Sequence, residues 1–315
     1  MSGINILDWE RMLGEQVIHI QKYRKQWLLE TASGKWVAKP CRSHAHLRWW
    51  FWVDCELRQR GFDRMPLCRT DGRTWLLTAW IDARPASYHR MDEAGKAADL
   101  LSRFHQAGRG LLTPPPYCRF YSLRERIESR YRSFSLLLDQ AEQMEGELGQ
   151  LLRRYGKEFL RLGNDSRRKL MQIPLQEWTD WERSRRCLTH RDLASHNVLI
   201  DSSGNGWLID FETADYDAQV GDLWQLLSRT LSQHRWDVVV FKRILSNYES
   251  HRVLAPIERL ILASLLGFPN EFFREAVGIS LNKEGYMKEK TLPYLNKIAE
   301  SLSGYRDFLN RWIGW

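Results

Sequence analysis

The chain has 315 residues, 43% of them hydrophobic and 27% charged, an ordinary globular balance that excludes a disordered or fibrous chain and, at this length, favours two lobes over one core. The formal net charge of +8 suits an anionic partner, but Lys and Arg are scattered among acids from Lys22 to Arg311, so no stretch reads as a nucleic-acid stripe. Cys41, Cys55, Cys68, Cys118 and Cys187 form no CxxC pair and read as reduced thiols of a cytoplasmic protein, and the opening MSGINILDWERMLGEQV resembles neither a signal peptide nor a membrane anchor.

Residues 16–39 alternate apolar and polar positions, QVIHI, then WLLET and KWVAK about a turn at Ala32-Ser33-Gly34, and predict a strand and a hairpin. Ser43 to Arg60 predicts a helix, N-capped by Ser43 and stopped at Gly61, with Leu47, Trp50, Phe51 and Leu57 on one face. A turn at Asp71-Gly72-Arg73 precedes the strand TWLLTAWI. Beyond a turn near Asp82 to Pro85, a helix from about Asp92 to Ala107 carries the apolar stripe Ala97, Leu101, Phe104. Pro114-Pro115-Pro116 is a stiff connector, and residues 122–182 read as an all-helical, charged block. Between Leu188 and Phe211 the period returns to two, and from Gly221 onward it is helical. The expected architecture is a β-rich lobe over residues 1–78, a hinge over 79–85 and a mostly helical lobe over 86–315, with a nucleotide-sized cleft between the lobes.

The segment LTHRDLASHNVLIDSSGNGWLIDFE, residues 188–212, carries the chemistry. Asn197 follows Asp192 by five residues, and Asp210 lies across a hairpin formed by NVLI and WLID. A phosphoryl group leaving ATP carries charge that Mg²⁺ must neutralise, so two oxygen-bearing side chains have to converge on the triphosphate from fixed backbone. Asn197 and Asp210 meet that need, because the hairpin turns their sequence distance into spatial closeness. The attacking hydroxyl needs a carboxylate to orient it and take its proton, and Asp192, on the loop before Asn197, is the candidate base. Polar turn chemistry accounts for Asp201 to Gly206 but not for the rest of the segment.

This segment resembles the catalytic loop and metal-binding motif of the aminoglycoside phosphotransferase and choline kinase superfamily, relatives of the protein kinases. More narrowly, TASGKWVAKP, LLTAWIDARP, AADLLSRFHQAG, GDLWQLLSRTL and GFPNEFFREA occur in the order of the bacterial spore-coat CotS family and with the catalytic segment cover most of residues 16–276. The resemblance implies an α+β, bilobal protein-kinase-like fold. It implies Lys39 as the strand lysine on the α- and β-phosphates, backbone groups of Thr78 to Ile81, Trp80 among them, for adenine, and Asp222 as the anchor of the large-lobe helix.

Two departures stand against the pattern. No glycine-rich loop occurs in IQKYRKQW, so any phosphate cradle is looser and ATP affinity modest. The acid that should pair Lys39 is missing from residues 43–53, leaving Asp54 and Glu56 as candidates, with Asp54 on the inward face. The expected activity is ATP- and Mg²⁺-dependent transfer to a hydroxyl of a small molecule or saccharide, with no nucleic-acid or membrane partner. The segment between Asp210 and Asp222 is too short to hold a peptide. The alternative is a kinase-shaped scaffold among spore-coat proteins with weak or no catalysis.

Overall fold

The computed structural model describes residues 6–23, 25–41, 43–116 and 120–313. Cys118 lies outside them, and the other four cysteines are free thiols. Helix α1 (Ile6–Leu13) leads into β1 (Val17–Tyr23), β2 (Gln26–Thr31) and β3 (Lys35–Pro40), followed by helix α2 (His44–Gln59), β4 (Cys68–Thr70) and β5 (Trp75–Ala79). These strands form one antiparallel sheet in the order β1-β2-β3-β5-β4. One face of the sheet is closed by Trp9 of α1, packed with Leu29, Ala38 and Leu77 and meeting Trp75 edge-on at 5.0 Å. Because side chains alternate across a strand, Lys39, next to Ala38, points to the opposite face.

Helix α2 begins where sequence chemistry places it: the Ser43 side chain accepts from His46 N–H at 3.3 Å, and beyond the last turn Gly61 takes φ +85°, a conformation that glycine adopts freely. Leu47, Trp50 and Leu57 are buried as expected, whereas Trp49 replaces the half-buried Phe51 on the inner face.

The chain leaves the sheet after Ala79 and enters a second, three-stranded sheet as β6 (Ala83–Pro85). Thus the last part of the stretch expected to act as a hinge is a strand, paired with β8 (Val198–Asp201), which pairs in turn with β9 (Gly206–Leu208). Helix α3 (Met91–Ala107) presents Ala97, Leu101 and Phe104 to the core with no exposure. The block after residue 122 is helical: α4 (Leu123–Asp139), α5 (Gly146–Leu151), α6 (Lys157–Met171) and α7 (Leu175–Ser184). Strands β7 (Leu188–Thr189) and β10 (Asp215–Tyr216) make a small two-stranded ladder around the catalytic segment. Helices α8 (Val220–Gln233), α9 (Val238–Glu249), α10 (Pro256–Leu266), α11 (Asn270–Ser280), α12 (Lys288–Glu300) and α13 (Leu302–Phe308) complete the large lobe. Among the described residues no helix is long and apolar enough to cross a membrane.

Candidate active site

Asp222, in the first turn of α8, accepts from the backbone N–H of His190 at 2.6 Å and of Arg191 at 2.9 Å. Its Oδ2 also lies 3.2 Å from His105 Nε2, and His105 Nδ1 is 2.7 Å from the Tyr248 hydroxyl. Burial pushes the Asp222 carboxyl up, but the bond from His105 and the proximity of His190 outweigh it, and the group sits below the ordinary aspartate value. Burial pushes the His105 imidazole down from its ordinary value, more than its bond to Asp222 raises it, so the ring stays neutral at pH 7. The clamp holds Arg191 at φ +72°, a conformation costing an L-residue about 1–2 kcal/mol; Asp210 takes φ +68° as well.

Asp192 stands at the turn so formed. Its Oδ2 accepts from Asn197 Nδ2 at 3.1 Å, and its Oδ1 lies 3.2 Å from Arg229 Nη2. Burial raises this carboxyl; Arg229, with His190 and Arg274, more than offsets that and holds it below the usual aspartate range. Asp192 is therefore ionised at neutral pH and 41% exposed, so it can accept a proton from a group in the cleft.

Asn197 ends a short 3₁₀ turn, and its C=O accepts from Ile209 N–H at 3.0 Å, which places it one backbone hydrogen bond from the strand leading to Asp210. Its amide N–H₂ is turned to Asp192, leaving the amide oxygen free of that bond. Asp210 Oδ1 is buried and lacks a hydrogen bond of good geometry, although Lys39 Nζ is 3.1 Å away. Lys39 also lies 3.5 Å from Glu212 Oε1. The structure thus brings Lys39, Asp192, Asn197 and Asp210 together.

It does not bring Asp54 to Lys39. Asp54 faces inward, as its helical face predicts, but Arg58, one turn on, grips it at 2.9 and 3.1 Å and also donates to the carbonyls of Met65 and Pro66. Glu56, the other candidate, is taken by Arg60, by the N–H groups of Leu112 and Thr113, and by the Thr113 hydroxyl. The pairing expected between Asp54 and Lys39 is therefore replaced by a local one, since a partner four residues away needs no loop closure. Helix α2 docks instead through aromatic rings: Trp50 stacks on Phe211 at 4.2 Å and 15°, worth about 0.5–1.5 kcal/mol beyond the buried area. Asp54→Asn is expected to cost about 1–3 kcal/mol of unfolding free energy without changing the affinity for nucleotide. A calorimetric titration showing weakened nucleotide binding would restore Asp54 to the site.

The stretch expected to meet adenine is partly committed to the sheet. Thr78 pairs with Val37 and Cys68, the Ala79 N–H donates to Leu67 O at 2.8 Å, and the Trp80 N–H donates to Lys35 O at 2.8 Å. Trp80 thus has no free backbone N–H for a base; the residue is 40% exposed and its ring meets Tyr23 edge-on at 6.3 Å.

Glu212 and Arg229 were missed by sequence reasoning. Glu212 stood two residues beyond Asp210, and Arg229 stands seven beyond Asp222, hence on the same helical face, a spacing that could have pointed to it. Arg191, whose guanidinium lies 3.3 Å from Asp217 and 3.8 Å from Asp215, is lowered to about 10 by burial and by Arg126.

The described residues hold no group of three or more His, Cys, Asp or Glu side chains suited to a metal. A divalent ion here would draw on the oxygens of Asp210 and Asn197 and take its remaining ligands from water and a nucleotide, which is how Mg²⁺ is commonly bound.

The fold is shared with known proteins. An aminoglycoside phosphotransferase from Alicyclobacillus acidocaldarius superposes with a TM-score of 0.78 at 20% identity, covering 96% of this chain and 94% of that one. A spectinomycin phosphotransferase bound to AMP gives 0.66 at 12% identity, over 96% of both chains. A choline kinase from Streptococcus pneumoniae gives 0.56 at 15% identity, over 96% and 98%. The fold is accordingly the protein-kinase-like fold of the aminoglycoside phosphotransferases. Residues 24–256 match the model of the phosphotransferase enzyme family, a span that includes the catalytic segment and ends at the start of α10: the chain belongs to that family.

Proposed function

We propose that this protein transfers the γ-phosphate of ATP, with Mg²⁺, to a hydroxyl group of a small molecule or saccharide. The observation that carries the reading is an ionised, part-exposed Asp192 flanked by Asn197 and by an Asp210 oxygen that lacks a well-formed hydrogen bond, with Lys39 opposite. Asp210 and Asn197 would hold the metal ion, whose charge offsets that of the triphosphate. Lys39, now against Asp210, has the reach and charge to take a phosphate oxygen, and Asp192 orients the acceptor hydroxyl and receives its proton. At the outer end of the cleft the Trp80 carbonyl, not its N–H, serves the adenine edge. Nucleotide-bound relatives of the same fold support this use of the cleft.

A small acceptor fits better than a peptide. Residues 214–220, between the two sides of the site, are buried, and Tyr216 is 2% exposed with its hydroxyl bonded to Thr113 O at 2.7 Å. Asp215 and Asp217 already supply Arg191 with negative charge, so the loop needs no phosphate to order it.

The likeness to the spore-coat CotS family favours a role in spore coat formation, and a scaffold without catalysis is the competing reading. What favours that alternative is that no α2 carboxylate pairs Lys39. Mg-ATP decides between them. A ligand that binds only the folded state at a hundred times its Kd adds about 2.7 kcal/mol, so the melting temperature should rise with Mg-ATP. Superimposable melting curves with and without millimolar Mg-ATP would favour the scaffold.

A further inference from the structure

Behind Asp192 lies a buried charge cluster that phosphoryl transfer does not require. Arg229 reaches Asp192 from α8, and its Nε is 3.7 Å from Glu271 Oε1. Glu271 accepts from Arg274 Nη2 at 2.7 Å, and Arg274 also pairs with Glu275. From α4 comes Arg130, bonded to the Asn270 side chain and, among the described residues, with no carboxylate within 4.0 Å. Three guanidiniums from three helices thus stand near two glutamates and Asp192, a carboxylate that the reaction needs for itself, but only Arg229 and Arg274 pair with these carboxylates. Burial, then the charge of Arg274, brings Arg130 down to about 10, as expected of a cation whose charge is poorly matched.

The donors are not satisfied either. The Nε atoms of Arg229 and Arg274 are buried without a hydrogen-bond partner, and Arg229 is 8% exposed. An unmatched buried guanidinium donor is costly, and the group that fits its planar fork is a carboxylate or a phosphate. Near the cluster Tyr286 packs on Gly278, where a Cβ would lie 2.2 Å from its ring, so only glycine admits it there. Arg130 and Arg274 nevertheless remain partly exposed.

We propose that the hydroxyl compound phosphorylated here is itself an anion, its carboxylate or phosphate group held by Arg130 and Arg274 while its hydroxyl rests against Asp192. The proposal depends on the phosphotransferase reading above and narrows its acceptor. In the step it implies, the bond between the γ-phosphorus and the bridging oxygen of ATP breaks and a bond from that phosphorus to the acceptor oxygen forms. The hydroxyl proton passes to Asp192, and the products are ADP and a phosphorylated acid. An acceptor bearing amines would meet like charge at the same wall.

The test uses the full chain with Mg-ATP and matched acceptors: sugar acids, sugar phosphates, the neutral parent sugars and the corresponding amino sugars, with transfer of labelled phosphate as readout. Acids of one or both kinds should exceed their neutral and amino counterparts in kcat/KM by about tenfold or more; the sugar-acid and sugar-phosphate arms tell carboxylate from phosphate. Arg130→Gln should raise KM for the acid more than it lowers kcat, and Arg130→Lys should recover part of that loss. In parallel, the acids should raise the melting temperature in Mg-ADP, where no turnover occurs, and less so in Arg130→Gln. Equal or better transfer to neutral or amino acceptors overturns the proposal, as does a panel in which no acid is used or bound. If Mg-ATP still stabilises the chain in that case, the phosphotransferase reading survives; if it does not, that reading falls as well.

Discussion

Asp192→Asn is expected to cut turnover by about a hundredfold or more while leaving Mg-ATP affinity nearly intact, because a general base acts on the transition state and not on nucleotide binding. The side chain is part-exposed and its neighbours are fixed by other bonds, Asn197 by the Ile209 N–H and the loop by Asp222, so the fold should tolerate the change. Asp210→Asn should behave differently, weakening the metal-dependent part of nucleotide binding, since its oxygen is the one left without a well-formed hydrogen bond. Titrations of both variants with ATP, with and without Mg²⁺, separate the roles; equal loss of ATP binding in the two would show that the division is wrong. The pH profile adds a check. Arg229 helps hold the Asp192 carboxyl below its usual range, so the base stays ionised, and activity persists, until the pH falls below that range. Removing the guanidinium in Arg229→Gln should move the acid limb of kcat/KM upward.

Asp222→Ala should be among the most destabilising single changes in the chain, on the order of 3–5 kcal/mol, because one buried carboxylate serves the His190 and Arg191 N–H groups and the His105 ring. All three donors would be left in a dry interior, and the left-handed Arg191 would lose the contact that holds it. The loss should appear as a lower urea midpoint at an unchanged slope, together with loss of transfer activity. Asp222 also contributes to acid unfolding. Its folded-state pKa is depressed, so its stabilisation is present above the unfolded value of about 3.9 and disappears as the pH falls through the folded one. A destabilisation below about 1 kcal/mol for Asp222→Ala would mean that the loop is held by something else.

The parts of this molecule that were legible in the sequence depend on neighbours a few residues apart. Ser43 caps α2 because its hydroxyl reaches the N–H three residues on, and the alternation in WLLET and KWVAK folds as β2 and β3. The spacing from Asp192 to Asn197, followed by a hairpin, brings Asp210 to the same site because a short loop and a two-stranded ladder leave the chain little choice. Asp222 could be named as an anchor, but its three donors could not, since His105 arrives from 117 residues away.

Which charge pairs with which was decided only by the packed structure. Lys39 had several carboxylates within plausible reach, and the choice of Asp210 and Glu212 over Asp54 turned on Arg58, which satisfies Asp54 locally. Arg229 meets Asp192 across 37 residues because α8 lies behind the catalytic loop, and Arg130 meets Asn270 across 140 because α4 crosses α11. Ion pairs and hydrogen bonds fade within an ångström or two of misplacement. Composition and periodicity name the groups available to make them, but only the helix packing sets those last ångströms, and with them the charge that an acceptor meets.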